Sequence, residues 1–145
     1  MKLTIAKALK EKNKKLNQIN KLWARLGENN SILEGNTREF NPEELLNQIK
    51  QETEGFIQLK TKIHNVCAPV REKIFRLSEL KCLTRRLKSI DTKNGAVQTR
   101  YENSSARYVA HFSIGKIDQL VEALENEIDQ IQEVLDQFNH TNYLE

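Results

Sequence analysis

The sequence predicts an all-α protein, a four-helix antiparallel bundle of coiled-coil character, with a short β-hairpin as an option between the third and fourth helices. Three observations carry this. Apolar residues recur in heptad steps along most of the chain, which is the pattern of helices that bury one stripe. Gly and Pro together number only 7 of 145 residues, too few turn-makers for a sandwich or barrel of many short strands. Charged residues reach 30% against 38% hydrophobic, the balance of long helices with one wet face. The length of 145 residues suits one domain, taken as 1–145.

From Lys2 to about Asn30 the residues Ile5, Leu9, Leu16, Ile19, Trp23 and Leu26 follow heptad spacing, interrupted at the inward phase by Lys12. Gly27, Asn29 and Asn30 mark where this first helix frays or ends. Asn41-Pro42-Glu43-Glu44 then reads as a helix start: Asn caps, Pro fits the first turn and acids meet the positive helix end. The second helix, about 42–67, carries Leu45, Ile49, Phe56, Leu59, Ile63 and Val66 inward, with Glu52 as its one polar interruption. An inward Glu is read as setting register.

Pro69 removes a backbone donor and disfavours helical geometry at Ala68, so the second helix stops or kinks near Cys67. A third helix, about 70–91, begins its stripe with Val70, Ile74 and Leu77 and continues with Leu80, Leu83, Leu87 and Ile90, which requires a three-residue slip. Phe75 and Cys82 fall on the opposite side, and this second apolar stripe is the expected site of an oligomer contact.

Between Asp91 and Phe112 the helical period vanishes, with turn signals at Asn94-Gly95 and Glu102-Asn103-Ser104-Ser105. A mobile loop is the first reading and a hairpin of Ala96–Tyr101 with Arg107–Phe112 the alternative. Ser113 is positioned to cap the last helix, about 114–139. Its stripe of Ile117, Val121, Leu124, Ile128, Ile131, Leu135 and Phe138 has no polar break. The polar tail either frays or docks through Tyr143 and Leu144.

Charge sorts by helix. Residues 2–26 carry eight bases and one acid, 42–66 three and four, 70–91 seven and three, and 114–138 one and seven. In an up-down-up-down bundle whose first helix borders its last, every adjacent pair is then opposite in net sign. Such exposed pairs select topology and register more than they stabilise.

The total of +3 gives no case for an anionic partner. Lys7, Lys10 and Lys14 on the first helix and Arg71, Arg76, Arg85 and Arg86 on the third are the residues that would track phosphates. The preferred reading is a solvated or acid-paired helix face, since acidic helices are at hand and Trp23 is expected in the seam. Nucleic acid is therefore the alternative partner, and a second copy of the chain the expected one.

His64 and Cys67 lie at i and i+3, Cys82 is fifteen residues on, and His111 or His140 would complete a metal site. No CxxC pair, HExxH or Glu-x-x-His motif accompanies them, and five scattered glycines build no phosphate cradle. The expectation is a non-enzymatic protein with no cofactor and no metal. The opening MKLTIAKALKEK has lysines at 7 and 10 and no uninterrupted apolar core, and no apolar run approaches the ~20 residues that cross a bilayer. A cytoplasmic protein with reduced thiols is expected, off the membrane.

The opening Met1-Lys2-Leu3 with Ala8-Leu9, Arg25-Leu26, Asn29 and Glu34-Gly35 resembles the start of the septicolysin-like family of small uncharacterised bacterial proteins. Ile131 to Asn139 with Thr141 and Leu144 is similar to that family's close, with His140 where a tryptophan is common. Ile63-His64-Asn65 and the arginine-bearing third helix fall at matching places. The resemblance implies a compact helical protein without an established activity. Cytolysis, implied by the family name, does not carry over, because no strand hairpin fit for a pore is present.

Overall fold

The computed structural model describes residues 2–98 and 105–145. It is all-α: helices α1 (Ile5–Asn30), α2 (Pro42–Val66), α3 (Arg71–Lys88) and α4 (Ile114–Thr141), with strands β1 (Gly95–Gln98) and β2 (Ser105–Tyr108) between α3 and α4. The chain divides into two compact units, Met1–Pro69 with Asp136–Glu145, and Val70–Leu135.

In the first unit α1 and α2 pack antiparallel. Lys15 meets Glu52, Arg25 and Gln18 share a groove with Gln48 and Gln51, and Trp23 and Leu26 lie beside Pro42 and Leu46. Both starts are capped as their sequences allow. Thr4 Oγ1 accepts from the Lys7 amide at 3.2 Å, and Asn41 Oδ1 from the Glu43 amide at 2.9 Å ahead of Pro42.

The seam of α1 differs from the expected one by one residue on alternate turns. Ile5, Ala8, Lys12, Lys15, Ile19, Leu22, Leu26 and Asn29 are buried or half-buried, an unbroken run of 3,4 steps. Leu16 and Trp23 are instead 42% and 51% exposed. This phase meets the polar position on the partner helix. Glu52 occupies the inward phase of α2, and turning α1 so that Lys15 points inward sets its ammonium 3.5 Å from that carboxylate. The lysine end lies against Gly55, where a Cβ would make an ordinary contact at 3.4 Å from Lys15 Nζ. In α2 the expected stripe holds, with Leu45, Ile49 and Ile63 buried.

Gly27 does not end α1, which continues to Asn30. The end is made by Asn29 and the following loop. Buried Asn29 donates to Arg25 O at 2.8 Å and accepts from the Phe40 amide at 3.3 Å. Arg38 donates to the carbonyls of Asn29 and Asn30 at 2.9 and 3.1 Å, satisfying groups a helix end leaves open. The Arg25 guanidinium lies 5.0 Å from the centroid of the Phe40 ring. Gly35 turns this loop at φ 91°, a left-handed conformation suited to glycine.

The tail docks. Leu144 N donates to Leu3 O at 2.8 Å and Ile5 N to Asn142 O at 3.0 Å, pairing Thr4 with Tyr143. The bonds are made by backbone, and the Tyr143 ring stays 49% exposed. At the other end Cys67 caps α2, and a single 3-10 turn, Ala68–Val70, carries Pro69 into α3.

In the second unit α4 buries the expected stripe at Ile117, Val121, Ile131 and Leu135. Ser113 caps it, its Oγ accepting from the Lys116 amide at 3.1 Å. Helix α3 differs from expectation. It ends at Lys88 rather than near Asp91, and its one buried residue is Thr84. The inward residues are Val70, Leu77, Leu80, Thr84 and Leu87, one heptad phase without a slip in which the position between Val70 and Leu77 is the exposed Lys73. Ile74, Leu83 and Ile90 are 39%, 47% and 45% exposed. Thr84 satisfies its hydroxyl locally, donating to Leu80 O at 2.9 Å.

The hairpin option is the correct one, though shorter than drawn. Gly95 pairs with Tyr108 and Ala96 with Arg107, antiparallel, and Phe112 is not in the strand. Tyr101 and the turn signal up to Ser104 lie outside the described residues. Asn94 anchors the pair, its Oδ1 accepting from the Ala110 amide at 3.2 Å. Before it, the Lys93 amide donates to Asp91 at 2.9 Å, and that bond, helped by the Lys93 charge, holds the Asp91 carboxyl below its ordinary value.

Candidate functional site

The chemistry-bearing residues do not converge. Among the described residues no group of three or more His, Cys, Asp or Glu side chains is placed to hold a metal ion. Both cysteines are thiols, Cys67 buried and Cys82 half-buried. What the structure offers instead is surface, of three kinds.

The outward face of α3 carries the expected contact residues. Phe75 is 63% exposed, a large apolar side chain for open water. Cys82 stands two turns further on the same flank, with Arg85 Nη2 3.6 Å from its Sγ. Ile74 and Leu83 widen the apolar area on either side of Phe75. The other cations of this helix are divided. Arg76 is held by Glu72 at 3.9 Å and by Glu127 of α4 at 3.7 Å, and Lys88 meets Glu125 at 2.9 Å. Arg71 is half-buried in the first turn, and Arg86 is exposed.

The α1–α2 pair has two unlike flanks. On one lie Leu16, Trp23, Leu46 and Ile57, each at least 38% exposed. Trp23, Leu26, Gly27, Pro42 and Leu46 line a groove there. Trp23 was expected in the seam; the one-residue turn of α1 moves it to this flank. The opposite flank is polar and basic: Lys7, Lys10, Lys14, Lys21 and Arg25 run down α1 beside Gln48 and Gln51 of α2. Lys7, Lys10, Lys14 and Lys21 are exposed and form no ion pair among the described residues, so of the expected solvated or acid-paired face this unit makes the solvated one.

The sequence reading missed the Leu16–Trp23 surface because it assigned those residues to the core. The signal was present. Lys12 and Glu52 were both inward interruptions, and the Ala8, Lys15, Leu22 phase adds a second cation, Lys15, that reaches Glu52.

A family model covers residues 12–144, that of a family of unknown function (DUF6847). The chain belongs to this family. A functionally unknown conserved protein from Corynebacterium diphtheriae, known from its crystal structure, matches with a TM-score of 0.73 over 100% of both chains at 18% identity, a likeness of fold. No curated protein matches the chain. No helix among the described residues is long and apolar enough to cross a membrane.

Proposed function

We propose that the protein is a cytoplasmic, non-enzymatic interaction module that presents helical surfaces and associates with copies of itself through the outward face of α3. The observation that carries this is Phe75, 63% exposed on a helix whose single buried residue is Thr84. A helix with apolar side chains on two sides needs a second neighbour to cover the second side. Cys82 and Leu83 extend the face by two turns. The resemblance to the septicolysin-like family belongs with this proposal and rests on the sequence motifs alone.

The nucleic-acid reading has less support on α3, where Arg76 and Lys88 are engaged by acids and Arg85 lies over Cys82. The test is mass in solution by light scattering over a concentration series. The wild-type chain is expected to exceed its 16.9 kDa monomer mass, and Phe75→Asp to lower the mass of the assembly with helicity unchanged by circular dichroism. A wild-type monomer throughout, or a Phe75→Asp assembly of undiminished mass, overturns the proposal.

A further inference from the structure

The unpaired basic flank of α1 has a counterpart in the same chain. About 120° around the helix from the buried seam, at 100° per residue, stand Lys10, Lys14, Gln18, Lys21 and Arg25, in steps of four, four, three and four. All five are exposed. A similar angle from the buried stripe of α4 places Asp118, Glu122, Glu125, Asp129 and Glu133 on one exposed flank. Counted back from Glu133, their steps are also four, four, three and four.

Laid antiparallel, the two flanks therefore match position by position over about 22 Å, at 1.5 Å per residue. Lys10 faces Glu133, Lys14 faces Asp129, Lys21 faces Glu122 and Arg25 faces Asp118. The one uncharged position of the basic flank, Gln18, faces Glu125, which is the acid already engaged by Lys88 at 2.9 Å. Each of the other four acids forms no ion pair among the described residues.

We infer that the basic flank of α1 docks antiparallel on the acidic flank of α4 from a second copy, in this register. Each copy carries both halves of the contact, so the same pairing joins like copies of the chain. A phosphate backbone is the competing occupant, and two features favour the copy. A uniform polyanion gives no reason for the uncharged gap at Gln18, whereas α4 supplies one. The aromatic ring beside the flank, Phe40, is half-buried with the Arg25 guanidinium over it, and Trp23 lies on the far side of α1, so neither offers a ring for base stacking along the flank. This contact shares with the preceding proposal the premise that copies associate, and uses a different surface.

The test is sedimentation of the full chain with two charge-reversed variants, Lys14→Glu/Lys21→Glu and Glu122→Lys/Asp129→Lys. Their folding is checked by circular dichroism. Raising NaCl from 50 to 500 mM is expected to weaken wild-type association about tenfold, because exposed charges are screened. Each variant alone is expected to lose association about tenfold or more at 50 mM salt. Mixed one to one they should recover it, since each restores the other's complement. Failure of the mixture to recover, or association indifferent to salt and to both variants, overturns the inference. If that indifferent association is lost in Phe75→Asp, the α3 contact still stands; a wild-type monomer overturns both. Binding of a labelled 20-base-pair duplex that Lys14→Glu/Lys21→Glu abolishes, with the chain monomeric, assigns the flank to nucleic acid instead.

Discussion

Helix α3 and α4 as far as Leu135 belong to the same unit and carry apolar residues at heptad spacing, yet α4 buries four members of its stripe and α3 buries only a threonine. The difference lies in what occupies the strict heptad phase. On α4 each position from Ile117 to Phe138 is apolar, so size and phase agree. On α3 the phase runs through Val70, Lys73, Leu77, Leu80, Thr84 and Leu87, and two apolar side chains, Ile74 and Leu83, sit one residue off it. The helix keeps the phase and leaves these two at the surface. Packing one helix on another requires a continuous ridge, and an off-phase leucine buries little however apolar it is.

The largest expected effect of this difference is on stability. Ile131→Ala empties a site that is 8% exposed and should cost about 2–5 kcal/mol. Leu83→Ala removes a side chain that is 47% exposed, and should cost about 0.5 kcal/mol or less in dilute solution. Urea denaturation of both measures the gap. Equal costs would mean that Leu83 is as much a core residue as Ile131.

A smaller effect separates the charges from the seam. Lys88 and Glu125 join α3 to α4 at 2.9 Å with side chains 59% and 49% exposed. Exposed pairs contribute about 0–1 kcal/mol and are screened by salt. Lys88→Met should therefore destabilise by about 0.5 kcal/mol at low ionic strength and by nothing measurable in 1 M NaCl. A salt-independent loss would show that the lysine stem, rather than its charge, packs on α4.

The fold was legible where phase and apolar size coincide. The four helices, the Asn41 and Ser113 caps, the break at Pro69 and the whole stripe of α4 follow from local chemistry. The misreadings share one origin. On α1 two heptad phases one residue apart share Ile5, Lys12, Ile19 and Leu26, and spacing alone does not choose between Leu9, Leu16, Trp23 and Ala8, Lys15, Leu22; on α3 a slip gathers Ile74 and Leu83 where the unslipped phase holds Lys73 and Thr84. A polar residue can hold a seam position when its polar end is satisfied, as Glu52 does for Lys15 and Leu80 O for Thr84. The hairpin was only an alternative because its anchor is tertiary: the bond from Ala110 to Asn94 spans 16 residues.

Of the candidate surfaces, Phe75 and Cys82 were readable because they lie opposite any plausible seam of α3. The match between α1 and α4 was hidden in the totals. Net charges of helices announced opposite signs, but the shared step pattern emerges only once exposed and buried positions are separated.

The Phe75 face of α3 is the proposed contact between copies, and amide hydrogen exchange as a function of protein concentration tests that most directly. Protection of Ile117–Leu135 on α4 should be the same in dilute and concentrated samples, while protection of Ile74–Leu83 on α3 should rise with concentration as the Phe75 face becomes covered. Exchange on α3 that is identical at both concentrations would contradict the account.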